Sequence, residues 1–155
     1  MGIGYKDSVV LYNRYVDGLM ETEHYIGTRF DGVRVELTKG ANQLASGMEN
    51  ADACLVKIPN GSNLPKPYVS PEIWILKSEG DKGKYFTASP GGCDFMIIVQ
   101  KDELGINVDA PTGVVESDAY EGGLYQYLRN QYGYTYGINT VDVYQLIPRF
   151  EVRGK

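Results

Sequence analysis

The chain reads as a mainly β protein of the α+β kind: an antiparallel barrel-like or sandwich domain with one or two short helices. Three observations predict this class. Nineteen glycines in 155 residues imply frequent turns, because glycine adopts backbone conformations that other residues avoid. Thirteen tyrosines favour strands and interfaces. Short runs of β-branched and aromatic residues also recur between clusters of Gly, Pro, Asn and Asp.

The elements follow in order. Ser8–Tyr15 is a strand, with Val9 and Leu11 on one face and Val10 and Tyr12 on the other. Asp17-Gly18 breaks it. Glu23–Phe30 is a weaker strand, and Asp31-Gly32 carries a hairpin-type turn signal. In Val33–Thr38, Val33, Val35 and Leu37 alternate with Arg34, Glu36 and Thr38, as in a half-buried strand. Lys39–Asn50 has no strand period and reads as a loop. Ala53–Ile58 is a strand closed by Pro59, and Asn60–Pro67 is a Gly/Ser/Asn/Pro loop.

Ser70-Pro71-Glu72 has the chemistry of a helix start. Ile73–Leu76 then reads equally as helix or strand. Ser78–Lys84 is a turn, Tyr85–Ala88 a strand, and Ser89-Pro90-Gly91-Gly92 a tight bend. Asp94–Gln100, the most apolar run, reads as a central strand, and Asp102–Thr112 as a polar connector. Ser117 or Asp118 caps a helix that runs to about Tyr132 and ends at Gly133. Gly122-Gly123 would cost that helix roughly 2 kcal/mol against alanine. Tyr134–Gln145 and Arg149–Val152 are the last strands. One domain, 1–155, accounts for the whole pattern.

Composition narrows the function. Apolar residues make up 43% and charged residues 23%, which suits a globular chain. The net charge is −5, and no two Lys or Arg residues are adjacent, so a nucleic-acid ligand is not expected. Cys54 and Cys93 are too far apart in sequence to suggest a metal motif. Both are expected free, buried and in a reducing compartment. No signal peptide or membrane span is expected.

Catalytic sets are sparse. The single histidine, His24, sits on a weak strand and reads as a surface or packing residue. No G-x-S-x-G elbow or Walker loop occurs. Gly80–Lys84 resembles a phosphate loop in composition alone. Asp102, Glu103, Asn107 and Asp109 do not fit calcium-loop spacing. The expectation is a non-enzyme without cofactor or metal. A carboxylate-pair hydrolase stays as the remaining enzymatic alternative.

The tyrosines are the positive signal. Tyr120, Tyr125, Tyr127, Tyr132, Tyr134, Tyr136 and Tyr144 fall within one quarter of the chain. They read either as an interface or as amphipathic residues at the edge of the core. Tyr125, Tyr127, Tyr132 and Tyr136 are the candidate contact residues. Stacking on sugar rings is the alternative use, in a carbohydrate-type binding barrel.

The order of motifs carries a resemblance. Val9–Tyr15 is followed by Gly32-Val33-Arg34, Lys39-Gly40-Ala41-Asn42, Ala45-Ser46-Gly47, Ala51-Asp52-Ala53 and Val56-Lys57-Ile58-Pro59. Asn139-Thr140-Val141-Asp142 and Phe150–Lys155 form a second anchor. The chain resembles small proteins encoded in the structural gene clusters of phages and prophages of Gram-positive bacteria. Residues 94–100 and 117–137 depart from that pattern.

The resemblance implies a virion role, as a head-completion or head–tail connector (stopper-like) subunit. Its partners would be portal, connector, capsid or tail proteins, with a ring of identical subunits as one arrangement. It would occupy the host cytoplasm during assembly and then the virion. The candidate contact loops are then Lys39–Asn50, with Lys39 and Asn42, and Asn60–Pro67, with Asn60 and Asn63.

Overall fold

A computed structural model of the chain describes residues 5–19, 21–38, 53–60, 64–91, 93–144 and 149–155. Its strands are β1 (Asp7–Val16), β2 (Glu23–Thr38), β3 (Ala53–Pro59), β4 (Phe95–Lys101), β5 (Ile106–Asn107), β6 (Gly113–Glu116), β7 (Thr135–Tyr144) and β8 (Arg149–Gly154). The helices are α1 (Pro71–Leu76), α2 (Glu79–Lys82) and α3 (Leu124–Tyr132).

Every ladder between these strands is antiparallel. The order runs β1-β2-β3-β8-β7-β4, and β4 pairs back onto β1. Six strands therefore close into a barrel-like ring, the mainly β, α+β architecture predicted from the sequence. β5 extends from β4, and β6 from β2.

Asp31-Gly32 does not reverse the chain. Asp7 pairs with Val33 while Ser8 pairs with Asp31, so Gly32 is an extra residue in β2. Its φ of 67° is the left-handed conformation that a glycine bulge uses. The bulge bends one continuous strand from its pairing with β1 to its pairing with β3. The predicted pair of strands is thus a single strand that turns a barrel corner.

Side-chain alternation then sorts most of the core into two bodies. Val9, Leu11, Phe30, Val33, Val35, Val56, Ile98, Ile138, Phe150 and Val152 belong to the interior cluster. Val10, Tyr12, Tyr25, Phe95 and Ile97 point outward and pack under Leu124 and Leu128 of α3. β1 is consequently buried on both faces. Leu124 and Leu128 are fully buried, and each contributes roughly 1.5–3 kcal/mol by leaving water.

The segment between β3 and β4 packs against the interior cluster. Phe86 sits edge-on to Phe30 at 4.8 Å and to Phe150 at 5.6 Å. Asn13 of β1 holds this segment, donating to the Thr87 carbonyl at 2.6 Å and accepting from the Thr87 amide at 3.3 Å. Tyr85–Ala88 is therefore extended without joining a strand ladder. Its contact of that kind is a single parallel bridge, Phe86 to Tyr68.

One open alternative is resolved and three further expectations are corrected. Ile73–Leu76 resolves to helix, although Ser70 makes no side-chain cap bond. Ser78–Lys84 contains the one-turn helix α2, capped by the Ser78 side chain on the Asp81 amide. The connector 102–112 contains a 3-10 turn at Asp102–Leu104 and the short strand β5, and β6 follows it. The last helix begins at Leu124, because Gly122 and Gly123 take φ values of 78° and 91° that a helix does not accept. Ser117 still serves the helix start, since its Oγ accepts the Leu124 amide at 3.0 Å. Gly133 ends the helix as expected.

Candidate functional site

The tyrosine-rich quarter is positioned by one clamp. The Tyr12 hydroxyl donates to the Pro111 carbonyl at 2.6 Å, holding residues 108–112 against the outer face of the barrel. Gly27 makes room for this, because a Cβ there would meet Tyr12 Cε1 at 2.8 Å and the Pro111 oxygen at 3.0 Å. Burial raises the Tyr12 hydroxyl pKa, and the neighbouring Tyr120 and Tyr132 add to the effect.

Between this clamped segment and α3 lies a groove of about 330 Å³, whose walls include Asp109, Pro111, Tyr120, Tyr127 and Tyr132. The Tyr120 and Tyr127 rings touch, with centroids 5.0 Å apart and planes tilted by 52°. Tyr132 stands 38% exposed at the end of the helix. Of the predicted contact residues, Tyr127 and Tyr132 meet here.

Tyr125 does not join them. It packs edge-on to Phe95 at 5.0 Å, and its hydroxyl accepts from Arg129 at 3.1 Å. Tyr136 is a correction. It lies on the inner face of β7, 8% exposed, within the barrel cluster. Closure of the barrel turns it inward, where it supplies core and not contact surface.

A second groove, of about 460 Å³, contains Asn60, Leu64, Lys66, Tyr68, Val143 and Phe150 in its lining. Asn60 is the predicted contact residue it includes. Lys39, Asn42 and Asn63, and with them the Lys39–Asn50 loop, lie outside the described residues. Lys66 belongs to the same predicted contact loop but is not one of the residues singled out from it. Its ammonium donates to Thr28 Oγ1 at 3.0 Å, and burial lowers its pKa.

A third cluster surrounds Trp74. This ring packs against Tyr15 and Ile26, and its Nε1 donates to the Lys82 carbonyl at 3.2 Å. Lys82 is buried. Its ammonium lies 5.4 Å from the Trp74 ring centroid and donates to the carbonyls of Ile75 and Lys77. It closes the C-terminal end of α1, where cations are favoured. Ile73, Ile75 and Leu76 of the same helix are 51%, 57% and 85% exposed.

His24, Cys54 and Cys93 do not line the tyrosine groove. His24 stacks on Tyr15 at 5.3 Å, and its Nδ1 lies 3.2 Å from the Thr22 carbonyl. Cys54 is buried, and burial pushes its thiol up to about 12. Cys93 is exposed, contrary to expectation, on a backbone with φ of 72°. Beside it, Asp94 is buried and accepts from the Arg14 and Ser89 amides and from Asn13 Nδ2 at 2.9–3.0 Å. Desolvation nevertheless pushes its carboxyl up to about 6. Among the described residues, no three His, Cys, Asp or Glu side chains gather as a metal site.

Asp109, Pro111 and Tyr120 complete the tyrosine groove but were not among the predicted contact residues. The signal for Tyr120 was present in the tyrosine cluster itself. Asp109 and Pro111 sit in a segment read as a connector, and the Tyr12 clamp that brings them in spans 99 residues.

No curated protein and no solved structure matches the chain. With the matched region covering residues 5–155, the chain belongs to the family of unknown function DUF6751.

Proposed function

We propose that the protein is a structural subunit of a tailed-phage or prophage particle, acting as a head-completion or head–tail connector component by binding its protein neighbours. The observation that carries the binding part is the filled interior of the closed ladder. Phe30, Phe86, Phe150 and the aliphatic residues around them occupy the space that a ligand-enclosing barrel would leave open. Recognition then belongs to the outer surface. Exposed Ile73, Ile75 and Leu76 suit this reading, since apolar side chains gain from being covered by a partner.

The particle itself enters through the motif order at residues 9–59 and at the C-terminal anchor. The test is deletion of the gene from an inducible prophage, followed by electron microscopy of the particles. Empty or tailless heads, restored by the gene in trans, are the expected result. Full heads with normal tails would overturn the proposal.

A further inference from the structure

The groove beside α3 has a chemistry that a generic protein contact does not require. It combines aromatic faces, phenolic hydroxyls and one carboxylate in a small concave space. We infer that the groove formed by Asp109, Pro111, Tyr120, Tyr127 and Tyr132 is a subsite for a neutral sugar ring of an oligosaccharide. This inference is independent of the virion role and stands or falls on its own test.

A pyranose ring presents a patch of C–H groups on one face and hydroxyls around its rim. The C–H patch suits an aromatic face, whose π-electron density is negative. The rim needs donors and acceptors at the edges. Tyr132, exposed at the groove wall, offers such a face. Tyr120 and Tyr127, tilted against each other, hold one another in place, so their surface is set before the ligand arrives.

The polar groups converge in the same space. Tyr120, Tyr127 and Tyr132 bring three phenol groups to the groove lining. The Tyr12 hydroxyl is itself committed to Pro111, leaving phenols at the groove wall for a ligand. Asp109 supplies a carboxylate acceptor that can take ligand hydroxyl protons. The named walls carry that one carboxylate and no basic side chain, on a chain of net charge −5. This favours a neutral sugar over a uronate or a sialylated one.

Size agrees. About 330 Å³ lies at the small end of ligand pockets, roughly 300–1,000 Å³, and suits a mono- or disaccharide unit. The walls are also supported from behind. Leu124 and Leu128 anchor α3 in the outer core, and the Tyr12–Pro111 bond fixes the opposite side.

The experiment is saturation-transfer NMR on the intact chain with maltotriose, cellotriose and chitotriose as probes and hexaproline as a competing peptide. At least one trisaccharide should bind with a Kd on the order of 1 mM. Tyr132→Ala should weaken it about tenfold or more. Because Tyr132 is exposed, a thermal melt should show that this variant remains folded. Asp109→Asn should weaken binding while keeping the ring contacts, and Tyr144→Ala, elsewhere on the surface, should leave it unchanged. No transfer to any of the three sugars would overturn the inference. So would equal transfer in the Tyr132→Ala protein, or hexaproline binding at the groove to the exclusion of the sugars.

Discussion

Lowering the pH from 7 to 5 should stabilise this protein, and Asp94 should be the reason. Its carboxyl is buried between β1 and the segment that precedes β4. Desolvation pushes its pKa up to about 6 against the bonds from Arg14, Asn13 and Ser89 that favour the charged form. The unfolded chain titrates near the ordinary aspartate value of about 3.9. The folded state therefore holds this proton more tightly, and folding is favoured as protons are supplied. The contribution is complete below about pH 4 and is lost as pH rises through about 6. Roughly two pKa units correspond to about 3 kcal/mol in all, of which about 1 kcal/mol appears between pH 7 and 5.

Carboxyls held low by their partners, such as Asp31 beside Ser8 and Arg29, act in the opposite sense. They keep their contribution until the pH falls to about 4 and below, so the window from pH 7 to 5 belongs to Asp94. Urea unfolding at the two pH values measures the effect. With a slope of roughly 1–3 kcal/mol/M, the midpoint should move upward by about 0.3–1 M on acidification. Asp94→Asn should lose that gain while remaining folded. It should also be less stable than the native protein at pH 5, since the amide cannot accept from both sides. Titratable groups common to both proteins cancel in the comparison. A variant whose midpoint follows the native one across the window would refute the reasoning.

Other tests bear on packing. Gly154→Ala places a Cβ 2.8 Å from Met96 Cε and from Tyr136 Cβ, and 2.9 Å from the Gly137 carbonyl. It should destabilise the fold by about 1–3 kcal/mol in urea unfolding. Lys82→Met keeps the stem but removes the donors to the Ile75 and Lys77 carbonyls. A loss of about 1–3 kcal/mol is expected in the same assay, and an unchanged midpoint would count against this capping role. A chromogenic disulfide reagent should titrate exposed Cys93 promptly and buried Cys54 only after denaturant is added. Two equally fast thiols would contradict the burial of Cys54.

The strands were legible where composition and alternation agreed. Val9 to Tyr12 and Phe95 to Val99 announce themselves through β-branched and aromatic residues. Asp31-Gly32 reads as a turn in the sequence because a turn and a bulge ask the same thing of glycine, a positive φ. Only the partner strands decide between them, and those partners are distant in sequence. The helix start was misplaced for a related reason: Ser117 does accept a helix amide, but two left-handed glycines separate it from the first turn. At the candidate site, local chemistry exposed the tyrosine cluster but not which way each ring points. Tyr136 turns inward because β7 pairs with β4 opposite Met96, a closure no local pattern records. Asp109 and Pro111 reach α3 through Tyr12 on the first strand and through the packing of Val108 and Ala110 in the outer cluster.

The closed ladder also sets an order of events during synthesis. Cys54 of β3 lies opposite Gly154 of β8, and Ile138 of β7 meets the same glycine. Until the ribosome has delivered β8, β3 and β7 each present an open row of amides and carbonyls. The pairing of β3 with β8 spans a long sequence interval and forms slowly, because the intervening chain must be ordered first, whereas β7 and β8 are neighbours in sequence. The nascent protein therefore carries the open edge of β3 through much of its growth and adds that of β7 only shortly before β8. Loss of the final strand should yield a chain that pairs with its own copies, and a molecular chaperone would meet this protein most often just before that strand arrives.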